Sequence, residues 1–194
     1  MTRKLTIGVF VGGKGTRMGG VSKGLLPAPD GTETLLERLL RQCATAAPAA
    51  DLFLVGDSAA YGALSARRLE DAPAGVGPIG GLRALLSRAC ADQSELALAL
   101  ACDLPFLDQA ALCALIEPFS GITRVPVVAG RLQPLAAAYA PTAALSAVDR
   151  SLSLGKHALM QVLDQLGSQL ERVEFDAERG LALRDWDTPE DVVR

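Results

Sequence analysis

The chain opens with Leu5-Thr6-Ile7-Gly8-Val9-Phe10-Val11, followed by Gly12-Gly13-Lys14-Gly15-Thr16-Arg17-Met18-Gly19-Gly20, with Lys23 close behind. The apolar run Leu5–Val11 predicts a short buried strand, and the glycines predict a loop leading into a helix. Residues 12–29 contain Lys14, Arg17 and Lys23 and no acid. The formal charge of the chain is −3, so this segment is +3 and the remainder −6. A glycine-rich cationic loop between strand and helix suits a phosphate. Without a Cβ, backbone N–H groups approach the oxygens closely, and Lys and Arg neutralise their charge. The alternative is a glycine turn with solvated charges.

Beyond the loop, short apolar runs alternate with amphipathic stretches. Thr34–Ala46 predicts a helix, with Leu35, Leu36, Leu39, Leu40 and Cys43 at helical spacing. Leu52–Val55 predicts a strand, Ala59–Ala66 a short helix, and Arg68–Glu70 a brief strand ending at Asp71. Gly77 to Arg88 predicts a loop and a helix with Pro78 in its first turn. Leu96–Ala101 is the most apolar run and the expected central strand. Asp108 is the expected N-cap of a helix reaching about Glu117. Arg124–Ala129 and Leu132–Ala140 predict a hairpin around Gly130. Ala143–Leu152 and Lys156–Leu166 predict helices separated by Gly155. Val173–Phe175 and Leu181–Arg184 predict late strands, and Thr188-Pro189-Glu190-Asp191 a final helix start. This alternation implies an α/β fold of three layers around a sheet that is mostly parallel in its first half. With 194 residues and neither a linker nor a repeat, a single domain over 1–194 is expected.

The composition excludes several classes. Hydrophobic residues make up 49% and aromatic residues 4%, an Ala/Leu/Val-rich interior. A pI near 5.2 argues against a general nucleic-acid surface, which wants a basic face. No run approaches the ~18 apolar residues of a membrane span. Cys43, Cys90, Cys102 and Cys113 form no C-x-x-C pair and sit in apolar contexts, so buried reduced thiols are expected. With no signal-like start, this points to the cytoplasm. The lone His157 is expected at the surface, and Trp186 as packing for the last helix.

Two rival phosphate motifs fail. Gly8 to Lys14 nearly fits a Walker A loop, but Gly15 stands where Ser or Thr is required, and Gly8 falls inside the predicted strand. Gly13 and Gly15 begin a dinucleotide fingerprint, but Met18 occupies the third glycine position. The acid after the second strand, Asp57, lies far beyond the expected ~20 residues.

The segment Val11-Gly12-Gly13-Lys14-Gly15-Thr16-Arg17-Met18-Gly19, then Lys23-Gly24-Leu25-Leu26-Pro27, resembles the signature of nucleotidyltransferases with the GT-A-like, Rossmann-like fold. Within them, the paired Gly12-Gly13 is similar to molybdenum cofactor guanylyltransferases. Four further blocks follow in order. Glu70-Asp71 with Gly77-Pro78-Ile79-Gly80-Gly81-Leu82 is similar to the family's Asp…Gly-Pro-Leu-x-Gly block. Cys102-Asp103-Leu104-Pro105 is similar to its Cys-Asp-x-Pro block. Gln133-Pro134-Leu135, ending at Tyr139, resembles the acceptor-side segment. Asp185-Trp186-Asp187-Thr188-Pro189-Glu190-Asp191 resembles the terminal Asn-x-Asn-Thr-Pro-Glu-Asp, with Asp at both Asn positions. Phe10-Val11 stands in place of the usual Leu-Ala, at backbone positions that flank the base in the family.

The resemblance implies Mg²⁺-dependent transfer of GMP from GTP to molybdopterin, with loss of pyrophosphate. Cofactor-delivery proteins are implied as partners, and neither a nucleic acid nor a membrane is. In such a reaction the protein chiefly positions and neutralises. The nucleotide-binding set implied is Phe10, Val11, Gly12, Gly13, Lys14, Lys23, Asp71 and Asp103. The loop backbone and Arg17 suit the β- and γ-phosphates, and Lys23 the α-phosphate. Asp103, directly after the most apolar strand, is the implied metal ligand, with Asp185 or Asp187 as a second. Each has a plainer reading: Lys23 as a solvated lysine, Asp103 as a turn or cap, Asp185 and Asp187 as a turn before a helix. Gly80 and Gly81 either admit a ligand or relieve crowding. The rival functions are transfer from CTP to molybdopterin, transfer from an NTP to a sugar or polyol phosphate, and a nucleotide-binding accessory protein.

Overall fold

A computed structural model describes residues 3–12, 22–57, 59–62, 64–186 and 191. Its first elements are β1 (Leu5–Phe10), α1 (Leu35–Ala46), β2 (Asp51–Val55), β3 (Arg67–Leu69), α2 (Pro78–Ala91), β4 (Leu96–Ala101) and α3 (Gln109–Ile116). There follow β5 (Thr123–Val128), β6 (Arg131–Leu132), β7 (Ala136–Tyr139), α4 (Pro141–Ser153), α5 (Leu159–Leu166), β8 (Leu170–Phe175) and α6 (Ala177–Leu181). The expectations for Gly13, Lys14 and Arg17, for Asp187 and for the helix start at Thr188 lie outside the described residues.

β1 is buried along its whole length, because it pairs on both edges and is covered on both faces. It runs parallel to β2 on one side and to β4 on the other, so Val9 stands between Leu54 and Leu100. Among the described residues the sheet order is β3-β2-β1-β4-β7-β5-β6, with β8 parallel to β5. β7 is inserted antiparallel between β4 and β5. One face of the sheet buries Leu36, Leu39 and Cys43 of α1 with Leu112 and Leu115 of α3. The other buries Leu82, Leu85 and Leu86 of α2 with Val148 of α4 and Leu163 of α5. This is the expected three-layer α/β architecture with a mostly parallel first half.

Local chemistry explains the boundaries. Thr34 caps α1 in a capping box with Glu37, and Asp108 caps α3 by accepting the Ala111 N–H. Pro78 opens α2 at its first position, where a missing N–H costs nothing. Gly8 lies within β1, and a Cβ there would come 2.8 Å from Leu85, so glycine lets α2 seat closely on the sheet.

The structure corrects five expectations. The described residues of Ala59–Ala66 do not form the expected helix: a 3-10 turn, Ala59–Tyr61, stands at its start. The strand expected over Leu132–Ala140 breaks after Leu132, because Pro134 lacks the N–H a ladder requires. β5 and β6 do form the hairpin, turning through Ala129 (φ 48°) and Gly130 (φ 74°). β8 begins at Leu170, earlier than expected, its alternation hidden by Glu171, Arg172 and Glu174. Leu181–Arg184 is no strand, since α6 occupies Ala177–Leu181. The thiols are free, but only Cys43 and Cys102 are buried; Cys90 is half-buried and Cys113 exposed. His157 is exposed as expected. No helix among the described residues is long and apolar enough to cross a membrane.

Gly80, in the first turn of α2, has a packing role. An added Cβ would lie 2.3 Å from the Pro73 carbonyl oxygen, a backbone atom with little freedom to yield. Gly80→Ala is therefore expected to destabilise the chain by roughly 1–2 kcal/mol, despite alanine's better helix propensity. A urea titration checks this; an unchanged or raised midpoint contradicts the packing argument.

Candidate nucleotide site

Because β1, β2, β3 and β4 are parallel, their carboxyl ends open on one edge of the sheet. β1 continues to β2 and β3 on one side while β4 lies on the other, a topological switch point where α/β folds bind ligands. A cleft of about 330 Å³ sits there. Its lining follows strand order, with Asp71 beyond β3, Asp57 after β2, Gly12 after β1, and Asp103 after β4. Phe10 and Ala101 form the strand-end walls, and Gly77 and Pro78 bring the amino end of α2 to the rim. Leu135, from the turn before β7, closes the remaining side.

Hydrogen bonds at the strand ends keep these loops together. The Val11 N–H donates to the Val55 carbonyl at 3.0 Å, the Cys102 N–H to Phe10 at 3.1 Å, and the Ala101 N–H to Leu135 at 2.7 Å. The Tyr139 hydroxyl donates to the Pro134 carbonyl at 2.7 Å, fixing the turn that carries Leu135.

Lys23 and Asp103 come together. The Lys23 ammonium donates to Asp103 Oδ2 at 2.8 Å, with the side chains only 19% and 16% exposed. Eighty positions apart in sequence, they meet because the 3-10 turn Lys23–Leu25 packs beside the end of β4. The Trp186 N–H donates to the Asp103 carbonyl at 3.1 Å, which brings the exposed Asp185 alongside in the chain. Trp186 is buried with Ala28 and Leu35 and meets Phe106 edge to face, tying this segment to the base of α1. Trp186 therefore packs against the Lys23–Asp103 side of the fold.

The other expected residues fall as follows. Phe10, Gly12 and Asp71 line the cleft. The Val11 side chain is buried in the core, so only its backbone is near the opening. Gly81 relieves crowding, since a Cβ there would come 2.9 Å from both Asp71 Oδ1 and the Phe10 ring. Asp57 is the residue sequence reasoning missed. It follows a parallel strand directly, the same signal that marks Asp103, and so stands in the cleft. Its neighbour Gly56 has φ +96° and packs against Gly12, which keeps the floor flat.

Burial, reinforced by the charge of Asp57, holds the Asp71 carboxyl above its ordinary value. Among the described residues no group of three or more His, Cys, Asp or Glu is placed to hold a metal ion. The oxygen donors at the Asp103 end fit Mg²⁺ carried on phosphates, which takes one or two carboxylates from protein and the rest from phosphate and water.

The fold and this cleft define an α/β nucleotidyltransferase. Residues 7–172 match the MobA-like NTP transferase domain, and the chain belongs to that family. No curated protein matches the chain by sequence at a significant level. Among solved structures, it is similar to molybdopterin-guanine dinucleotide biosynthesis protein A from Archaeoglobus fulgidus. The TM-score is 0.77 at 22% identity over 97% of this chain and 95% of that one. A nucleotidyl transferase from Methanothermobacter gives 0.70 at 20% identity, covering 100% and 96%. The 2-C-methyl-D-erythritol 4-phosphate cytidylyltransferase from Thermus thermophilus gives 0.68 at 19%, also covering 100% and 96%. At these identities the structural likeness establishes the fold, and the resemblance read from the sequence is borne out at the level of the family.

The raised Asp71 value has a testable consequence. With the folded value above the unfolded one, the ionised form is disfavoured by folding, a penalty present at neutral pH and gone below about pH 4. Asp71→Asn is expected to melt above wild type at pH 7, with the gap closing as pH falls through the raised value. Equal melting at pH 7 contradicts the assignment.

Proposed function

We propose that the chain, acting as one domain, joins GMP from GTP to molybdopterin in a Mg²⁺-dependent reaction. A phosphate oxygen of the acceptor attacks the α-phosphorus, the bond to the β-phosphate breaks, and pyrophosphate leaves. The observation that carries this reading is the polarity of the cleft, with the Lys23–Asp103 pair at the β4 end and two carboxylates, Asp57 and Asp71, at the other.

The β4 end suits the phosphates. Lys23 would neutralise charge on the α-phosphate as the leaving group departs, a role in which a preorganised cation is worth most. Asp103 holds that ammonium in place before nucleotide arrives. Asp103 would also hold Mg²⁺, with Asp185 or Asp187 as a second carboxylate, and the ion supplies charge neutralisation on the triphosphate. Gly12, Gly13, Lys14 and Arg17 complete the proposed phosphate-binding set.

The β2–β3 end supports guanine. A carboxylate only accepts hydrogen bonds, and guanine presents two adjacent donors, N1–H and the N2 amino group. Cytosine offers one amino donor beside two acceptors, which carboxylates repel. The similarity to a cytidylyltransferase keeps transfer from CTP as the second reading.

Titration calorimetry with GTP, CTP and ATP, each with Mg²⁺, tests the nucleotide. GTP is expected to bind in preference, and Asp103→Ala to weaken it. CTP preference overturns the guanine reading while leaving the transferase. Lys23→Ala is expected to lower turnover by about 10²–10³-fold, the scale of removing one transition-state contact. Undiminished turnover removes Lys23 from the mechanism, and binding without pyrophosphate release favours an accessory role.

A further inference from the structure

Tyr61, in the short 3-10 turn between β2 and β3, is almost wholly buried in the core that also holds Leu36 and Leu39. Its hydroxyl accepts the backbone N–H of Gly24 at 3.3 Å, inside the turn that begins with Lys23. Cys102, the residue before Asp103, is buried in the same core cluster as Tyr61. The phenol oxygen therefore holds the chain directly after Lys23.

The contact is tight as well as polar. A Cβ on Gly24 would lie 3.0 Å from the Tyr61 ring, 3.1 Å from its hydroxyl and 3.2 Å from Leu36. Glycine is what lets the turn seat against the phenol. The Tyr61 backbone is pinned in turn, because Arg68 of β3 donates to its carbonyl at 2.8 Å. Asp57, four residues earlier, accepts the Ala59 N–H and starts the same turn. Hydrogen bonds thus tie the Ala59–Tyr61 turn to Asp57 in the cleft wall and to Gly24 beside Lys23.

We propose that Tyr61 is a positioning residue for the proposed transfer: its buried hydroxyl holds the Lys23–Gly24 turn in place, and so sets where the Lys23 ammonium sits against Asp103. It touches neither nucleotide nor acceptor and acts through Lys23. Burial pushes the phenol up to about 12, so it stays protonated and neutral across working pH and accepts from Gly24 as a neutral hydroxyl. The kinetic consequence rests on the transferase reading; the structural one does not.

Lysine acylation mapped by mass spectrometry tests the placement without any substrate, with exposed Lys156 as internal reference. In wild type, Lys23 is expected to label slowly. In Tyr61→Phe, which keeps the ring and removes the hydroxyl, Lys23 is expected to label severalfold faster, with Lys156 unchanged. Gly24→Ala, which displaces the turn with the phenol intact, is expected to do the same and serves should Tyr61→Phe fold poorly. Unchanged Lys23 labelling in folded variants overturns the proposal. The kinetic arm uses GTP, Mg²⁺ and molybdopterin. Tyr61→Phe is expected to lower kcat about tenfold with KM for GTP changed less than about twofold, the scale of one lost hydrogen bond expressed in the transition state. A raised KM with unchanged kcat overturns it. If wild type does not turn over at all while the labelling result holds, the transferase reading fails and the placement of Lys23 by Tyr61 stands.

Discussion

Everything in the site depends on β1 being hydrogen-bonded in parallel on both edges. Parallel pairing with β2 and with β4 obliges all three strands to deliver their following loops to the same edge of the sheet. The reversal of direction on either side of β1 opens a crevice between those loops. Gly12, Asp57 and Asp103 are therefore neighbours by topology, however far apart in sequence. Side chains refine the arrangement and do not create it. Gly8 lets α2 close onto β1, and Gly80 and Gly81 let the amino end of that helix approach the cleft without displacing Asp71.

Within that frame the cleft is electrostatically divided. Its β4 end carries a cation held by an acid, and its β2–β3 end carries two acids, one of them already disfavoured in its charged form. A carboxylate kept partly desolvated beside another is costly to the fold and useful to a ligand that brings hydrogen-bond donors. A nucleotide spans such a division naturally, with its anionic chain at one end and its base edge at the other. The pairing of Lys23 with Asp103 has a parallel logic, since each side chain is largely shielded from water and each offsets the charge of the other.

Much of this was legible in the sequence, for reasons that can be named. The strands of the parallel half are continuous apolar runs, so Leu5–Val11 and Leu96–Ala101 declare themselves. Caps such as Thr34 and Asp108 use side chains with one evident purpose. The antiparallel half was harder. Leu132–Ala140 is apolar but for Gln133, and Pro134 marks the break that lets β7 leave β6 and pair with β4. β8 carries Glu171, Arg172 and Glu174, which mask its alternation, and Glu171 is there to pair with Arg124. In the site, Asp103 stood out because of the strand before it. Asp57 carries the same mark after β2, but no motif block surrounds it in the sequence. Tyr61 could not be found from sequence at all, because its partner Gly24 is brought to it by tertiary packing.

The central claim is that this cleft moves a guanylyl group. The most direct measurement is pyrophosphate release from the purified chain supplied with molybdopterin and Mg²⁺, with GTP and CTP compared side by side. The account predicts acceptor-dependent release from GTP, with little from CTP. Release from CTP alone, or none from either nucleotide, would contradict it.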